Sequence, residues 1–157
     1  MLHIENVQIQ DADLAMPPIP CLIPQPGGQS LPLVLAPVRA GFPSPADDYL
    51  DDNINLHDYL VTDPPATFFV RVRGDSMIGA GIDNGDLLVV DKGLAPAHGD
   101  IVVAVIDGEF TVKRLYCRAG ACVLTPENPS YPPITLQPGQ ELLVWGVVTG
   151  AVKRFRR

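Results

Sequence analysis

The chain has 157 residues, a formal net charge of -7, and is 46% hydrophobic and 18% charged. That length holds one ordinary domain with a modest tail, and the composition excludes a polar, disordered chain. The acidic balance argues against direct nucleic-acid binding, which draws on a surplus of Lys and Arg, so any role near DNA runs through a protein partner. The basic end, Lys153, Arg154, Arg156 and Arg157, reads as a solvated C-terminus.

The start, Met-Leu-His-Ile-Glu, has no basic n-region and is not read as a signal peptide. Leu14 to Val38 is apolar, but Pro17, Pro18, Pro20, Pro24, Pro26, Pro32 and Pro37 interrupt it too often for a spanning helix. A soluble, cytoplasmic protein with no membrane contact is therefore expected. Residues 1–40 read as an extended, proline-rich arm. Residues 41–66 read as a linker. A short helix fits Pro45 through Leu56, with Asp47 and Asp48 in its first turn. The acidic run Asp47, Asp48, Asp51, Asp52 lacks accompanying ligands at metal spacing and is taken as a solvated face.

From Thr67 the signals are those of strands, and residues 67–157 form the predicted β-rich domain. The expected strands are Thr67–Val72, Leu87–Asp91, Asp100–Ile106, Glu109–Tyr116, Cys122–Thr125, Leu142–Val148 and Ala151–Phe155. The breaks are turn chemistry: Asn84-Gly85-Asp86, His98-Gly99-Asp100, Asp107-Gly108, Ala119-Gly120 and Thr149-Gly150. Short strands at close spacing predict an all-β sandwich or small barrel. The three cysteines, Cys21, Cys117 and Cys122, fit neither a disulfide framework nor a zinc site. Cys117 and Cys122 can face each other across a turn, but free thiols are the expectation for a cytosolic chain.

Candidate chemistry begins at Arg73-Gly74-Asp75-Ser76-Met77, where a strand ends and glycine follows at once. Such a corner exposes the Ser76 hydroxyl and turns backbone N–H groups outward. A serine nucleophile needs a base. His3 falls in the arm, His57 in the presumed helix and His98 in a Gly-Asp turn, and none has a carboxylate suggestively beside it. Lys113 lies in Phe110-Thr111-Val112-Lys113-Arg114-Leu115, on the strand face shared by Thr111 and Leu115. By pattern alone it is either an ordinary solvated lysine or a buried one, and only burial would leave a neutral amine able to accept a proton.

Gly74-Asp75-Ser76-Met77, Gly81-Ile82 and Gly85-Asp86-Leu87-Leu88-Val89-Val90-Asp91 resemble the serine half of the LexA/UmuD family of self-cleaving serine–lysine peptidases. His98-Gly99-Asp100-Ile101-Val102 and Asp107-Gly108-Glu109-Phe110-Thr111-Val112-Lys113 resemble the lysine half, in the same order and spacing. The likeness runs from about Ala40 to Val148. It implies a small all-β peptidase domain of short, twisted antiparallel strands. It implies Ser76 as nucleophile, Lys113 as base, and the backbone N–H groups of Asp75 and Ser76 as oxyanion donors. No cofactor or metal is implied. The family cuts its own chain between a small residue and glycine, and Ala40-Gly41, followed by Phe42-Pro43-Ser44-Pro45, is such a bond.

A proline-rich stretch of forty residues is too short for a helix-turn-helix reader, so the resemblance points to the UmuD branch. That branch implies stimulation by a RecA filament on single-stranded DNA during the SOS response. It also implies a trimmed homodimer that joins a Y-family DNA polymerase catalytic subunit for translesion synthesis. The rival readings are a non-catalytic dimeric adaptor that regulates a polymerase by binding alone, and a LexA-like repressor fragment.

Overall fold

The computed structural model describes residues 7–8, 30–34, 40–41, 50–135 and 142–156. The chain divides into two units, Ala15–Thr62 and a larger one that joins Met1–Leu14 to Asp63–Arg157. His3, Cys21, Asp47 and Asp48 lie outside the described residues.

In the smaller unit, β2 (Leu31–Val34) pairs antiparallel with β3 (Leu50–Ile54), with Leu31 opposite Ile54. The helix expected over Pro45–Leu56 is thus not formed at Leu50–Ile54, which is strand. Among the described residues the helix here is α1 (Leu56–Leu60). Pairing with β2 holds Leu50–Ile54 extended, and Asn55 sets the helix start by accepting a hydrogen bond from His57 N at 3.0 Å. Ala40 and Gly41 are exposed and lie in the connection between the two paired strands.

The larger unit is one sheet. Its strands are β4 (Thr67–Arg71), β5 (Leu87–Asp91), β6 (Ile101–Ile106), β7 (Glu109–Arg118), β8 (Ala121–Thr125), β9 (Ile134–Thr135) and β10 (Leu142–Val152), with the short β1 (Val7–Gln8). The order is β4-β5-β10-β6-β7-β8-β9, and every neighbouring pair on that path is antiparallel. β1 adds to β10 in parallel, with Val7 opposite Leu142 and Gln8 opposite Leu143. The all-β expectation holds, and so do most strand bounds.

Two further departures follow from the way the strands pair. Thr149-Gly150 does not end a strand. β10 runs through it, and the register against β5 shifts between Val148 and Gly150, a bulge that absorbs the extra residue without breaking the ladder. Cys117 and Cys122, expected as free thiols, form a disulfide. Antiparallel pairing across the Ala119-Gly120 turn puts them directly opposite, with Cα atoms 4.1 Å apart. That turn and Asp107-Gly108 both have positive φ at each central residue, the twist that two-residue hairpins require.

β6 is apolar throughout because both of its faces are buried. Val102 and Ala104 join Leu115, Leu124, Leu142, Val144 and Val147 in one core cluster. Val103 joins Val72, Met77, Ile82, Leu88 and Val90 in the other. Among the described residues no helix is long and apolar enough to cross a membrane.

Candidate active site

Ser76 sits in the corner between β4 and a single 3-10 turn at Ile78–Ala80. Several contacts shape this corner. Val72 is buried, and its N–H donates to Asp86 O at 2.9 Å, which ends the strand against the following turn. Gly74 turns the chain with φ +92, a value that side-chain-bearing residues rarely adopt, and its N–H donates to Asn84 Oδ1 at 2.9 Å. Met77, only 2% exposed, anchors in the second core cluster. With Met77 fixed inward, Ser76 is held at the surface of the core, half-buried.

Lys113 stands on β7 opposite Val102 of β6 and shares its face with Thr111 and Leu115, as alternation predicts. It is 8% exposed, so the solvated alternative is not what the fold makes. Its Nζ donates to Ser76 Oγ at 3.0 Å, to Thr111 Oγ1 at 2.8 Å and to Val112 O at 2.9 Å. Three acceptors thus match the three donors of an ammonium group. Among the described residues no carboxylate lies within ion-pair distance of it. Burial without a counter-charge disfavours the ammonium form and lowers the Lys113 pKa from its ordinary value. A hydroxyl in hydrogen-bond contact with an amine whose pKa is lowered is an arrangement that can serve as a nucleophile and its base.

The two described histidines, His57 and His98, are elsewhere. His57 is exposed on α1. His98 Nδ1 lies 2.9 Å from Cys117 O and 3.2 Å from Cys117 N, and its ring meets Tyr116 edge-on. Neither forms a hydrogen bond with Ser76. Among the described residues no group of three His, Cys, Asp or Glu side chains is placed to hold a metal.

The family motifs do not single out the segment after β8, yet it touches the corner at several points. Glu127 N donates to Ser76 O at 2.9 Å, and Gly79 N donates to Glu127 O at 2.7 Å. The Glu127 carboxylate pairs with Arg114, next in sequence to Lys113. Asn128, buried, donates from Nδ2 to Asp75 O at 3.0 Å. The Tyr131 hydroxyl donates to Asp75 Oδ1. In sequence the only signal there is a turn-rich Pro-Glu-Asn-Pro-Ser-Tyr following a strand.

A family model described as Peptidase S24-like matches residues 32–149, which span this whole constellation. The chain belongs to the Peptidase S24-like family. That family consists generally of self-cleaving serine peptidases. Protein SamA of Salmonella typhimurium is 48% identical over 132 residues, covering 84% of this chain and 91% of that protein. Protein ImpA of Escherichia coli is 50% identical over 125 residues, covering 80% and 85%. Protein MucA of Escherichia coli is 49% identical over 121 residues, covering 76% and 82%. These matches bear out the resemblance to the LexA/UmuD peptidases read from Gly74–Met77 and Asp107–Lys113.

Proposed function

We propose that this S24 protein cuts its own chain at Ala40-Gly41 with Ser76 as nucleophile and Lys113 as base. The observation that carries the reading is the buried Lys113 Nζ at 3.0 Å from Ser76 Oγ, without a carboxylate partner among the described residues. Neutral Lys113 takes the hydroxyl proton as Ser76 Oγ bonds to the Ala40 carbonyl carbon. The backbone N–H groups of Asp75 and Ser76 stabilise the oxyanion. Lys113 then gives the proton to the departing Gly41 nitrogen as the Ala40–Gly41 bond breaks. Water hydrolyses the resulting ester, which returns the proton to Ser76 and leaves a carboxylate at Ala40. A small residue before the bond and glycine after it suit close approach of the strand to the serine.

The likeness to UmuD-like relatives extends the reading to the partners. A RecA filament on single-stranded DNA stimulates the cut. The trimmed chain, as a homodimer, joins a Y-family DNA polymerase catalytic subunit in error-prone translesion synthesis. Residues 1–40 carry Glu5, Asp11, Asp13 and Arg39, a net charge of -2, so cleavage moves the chain from -7 only to -5. An uncovered surface is therefore a better switch than a change of field. The test is mass spectrometry with N-terminal sequencing after mild alkaline incubation, and again with RecA filaments. A fragment that begins at Gly41, absent from Ser76→Ala, is the expected result. A different start, or an intact chain with filaments present, refutes the reading.

A further inference from the structure

We propose that Asn128 is a positioning residue that aims the Ser76 backbone N–H at the developing oxyanion, with Tyr131 bracing the same unit; this deepens the Ser76–Lys113 reading and rests on it. The Asp75 carbonyl and the Ser76 N–H belong to one peptide group. That group is planar and trans, so its oxygen and its hydrogen point in opposite directions. Whatever fixes Asp75 O therefore aims Ser76 N–H. The corner lies outside the strands, follows Gly74 at φ +92, and has no ladder to hold it. Asp75 O is held instead by Asn128 Nδ2 at 3.0 Å and, along the chain, by Ile78 N at 3.3 Å.

The Asn128 amide cannot turn freely. Its Oδ1 accepts from Ser130 N at 3.0 Å, which leaves Nδ2 to face Asp75. The turn that carries it is closed by Tyr131 N donating to Asn128 O at 3.1 Å, with Pro129 in the position where its fixed φ suits a turn. The same turn presents the Tyr131 hydroxyl to the Asp75 carboxylate, so Asp75 is gripped at both its backbone and its side chain. Asn128 is 7% exposed, and a buried amide kept at that cost calls for a specific partner. One residue earlier, Glu127 holds Ser76 O through its N–H and Arg114 through its carboxylate. The segment thus ties the nucleophile corner to the strand that bears the base.

The test pairs Asn128→Asp with Tyr131→Phe, alongside wild type and Ser76→Ala. Asn128→Asp keeps the acceptor for Ser130 N and removes the donor to Asp75 O. Two readouts are taken: the self-cleavage rate against pH, and labelling of Ser76 by a fluorophosphonate, which needs no cleavage of Ala40-Gly41. Loss of an aimed oxyanion donor costs about 100- to 1,000-fold in rate. Asn128→Asp should lower the high-pH plateau by about that factor and slow labelling in parallel. The pH midpoint, set by Lys113, should stay in place. Tyr131→Phe, which removes one exposed hydroxyl from a folded turn, should lower the plateau in the same direction by a smaller factor. Wild-type plateau and labelling in both variants overturn the proposal. So does a loss of rate that only follows loss of folded protein by circular dichroism. A wild type that neither cuts nor labels at Ser76, with its fold intact, refutes instead the reading beneath it.

Discussion

Gly79 lies one turn past the nucleophile and packs directly on the backbone of Glu127. A Cβ added there would sit 2.5 Å from Glu127 O, whereas ordinary contact begins at 3.4 Å. In Gly79→Ala the carbonyl must therefore retreat by roughly 0.9 Å, the difference of those distances. The obstacle is backbone, so it cannot swing aside as a side chain would. Two hydrogen bonds run through that residue, Gly79 N to Glu127 O at 2.7 Å and Glu127 N to Ser76 O at 2.9 Å. Overpacking costs about 1–3 kcal/mol and a strained hydrogen bond about 1 kcal/mol, so about 2–4 kcal/mol of stability is lost. A domain of ordinary stability stays folded at that cost. The displacement reaches Ser76 itself, and a misplacement near 1 Å costs on the order of 100-fold in rate. Urea unfolding gives the first quantity, and the self-cleavage rate at the high-pH plateau gives the second. Gly108→Ala is the control: φ is +84 at the far hairpin tip and a Cβ meets nothing within 4 Å. It should lose about 1 kcal/mol through backbone strain alone and cleave at the wild-type rate. A Gly79→Ala protein that cleaves like wild type would refute the argument that Glu127 holds the corner in place.

Four further outcomes are expected. Self-cleavage should rise with pH and level off as Lys113 becomes neutral; Lys113→Ala and Lys113→Arg should be inactive at every pH, whereas His57→Ala and His98→Ala should remain active, as a rate–pH profile for each will show. Because burial lowers the Lys113 pKa, the unfolded chain binds more protons than the folded one between the folded value and 10.5, so stability rises with pH in that window. Lys113→Met should then unfold at higher denaturant than wild type at neutral pH, by a margin that narrows as pH climbs toward 10.5. Reducing Cys117–Cys122, which closes a loop of only a few residues, should cost about 2 kcal/mol in thermal unfolding and leave the plateau cleavage rate unchanged, since Cys117 lies on the far part of β7 from Lys113. Amide exchange at Leu142–Leu143 should accelerate once the chain is cut at Ala40-Gly41, because Val7–Gln8 then keeps its place on β10 by pairing alone.

Much of this molecule was legible as local pattern. The all-β class followed from short β-branched runs separated by Asp107-Gly108 and Ala119-Gly120, whose backbone preferences act within a few residues. Thr111, Lys113 and Leu115 share a face because alternation is a property of any strand. Ser76 stood out because it follows a Gly-Asp corner just past a strand end. The misreadings arose where pairing between strands decided the outcome. Leu50–Ile54 became strand because β2 pairs with it, Thr149-Gly150 stayed in β10 because β5 tolerates a bulge, and the cysteines joined because two strands align them.

The sequence by itself singled out Ser76 and Lys113 as candidates, because the two motifs that hold them stand in the order and spacing of a known family and can be read without any tertiary contact. Whether Lys113 is a solvated or a buried lysine was decided only by the tertiary structure. Its environment is made by Val102 on the neighbouring strand and by a serine 37 positions away, and burial is a property of the whole fold rather than of any window along the chain. The same holds for Asn128. Its turn could be read from Asn-Pro-Ser-Tyr, but its partner, 53 positions earlier, is brought within 3.0 Å only by the folded sheet.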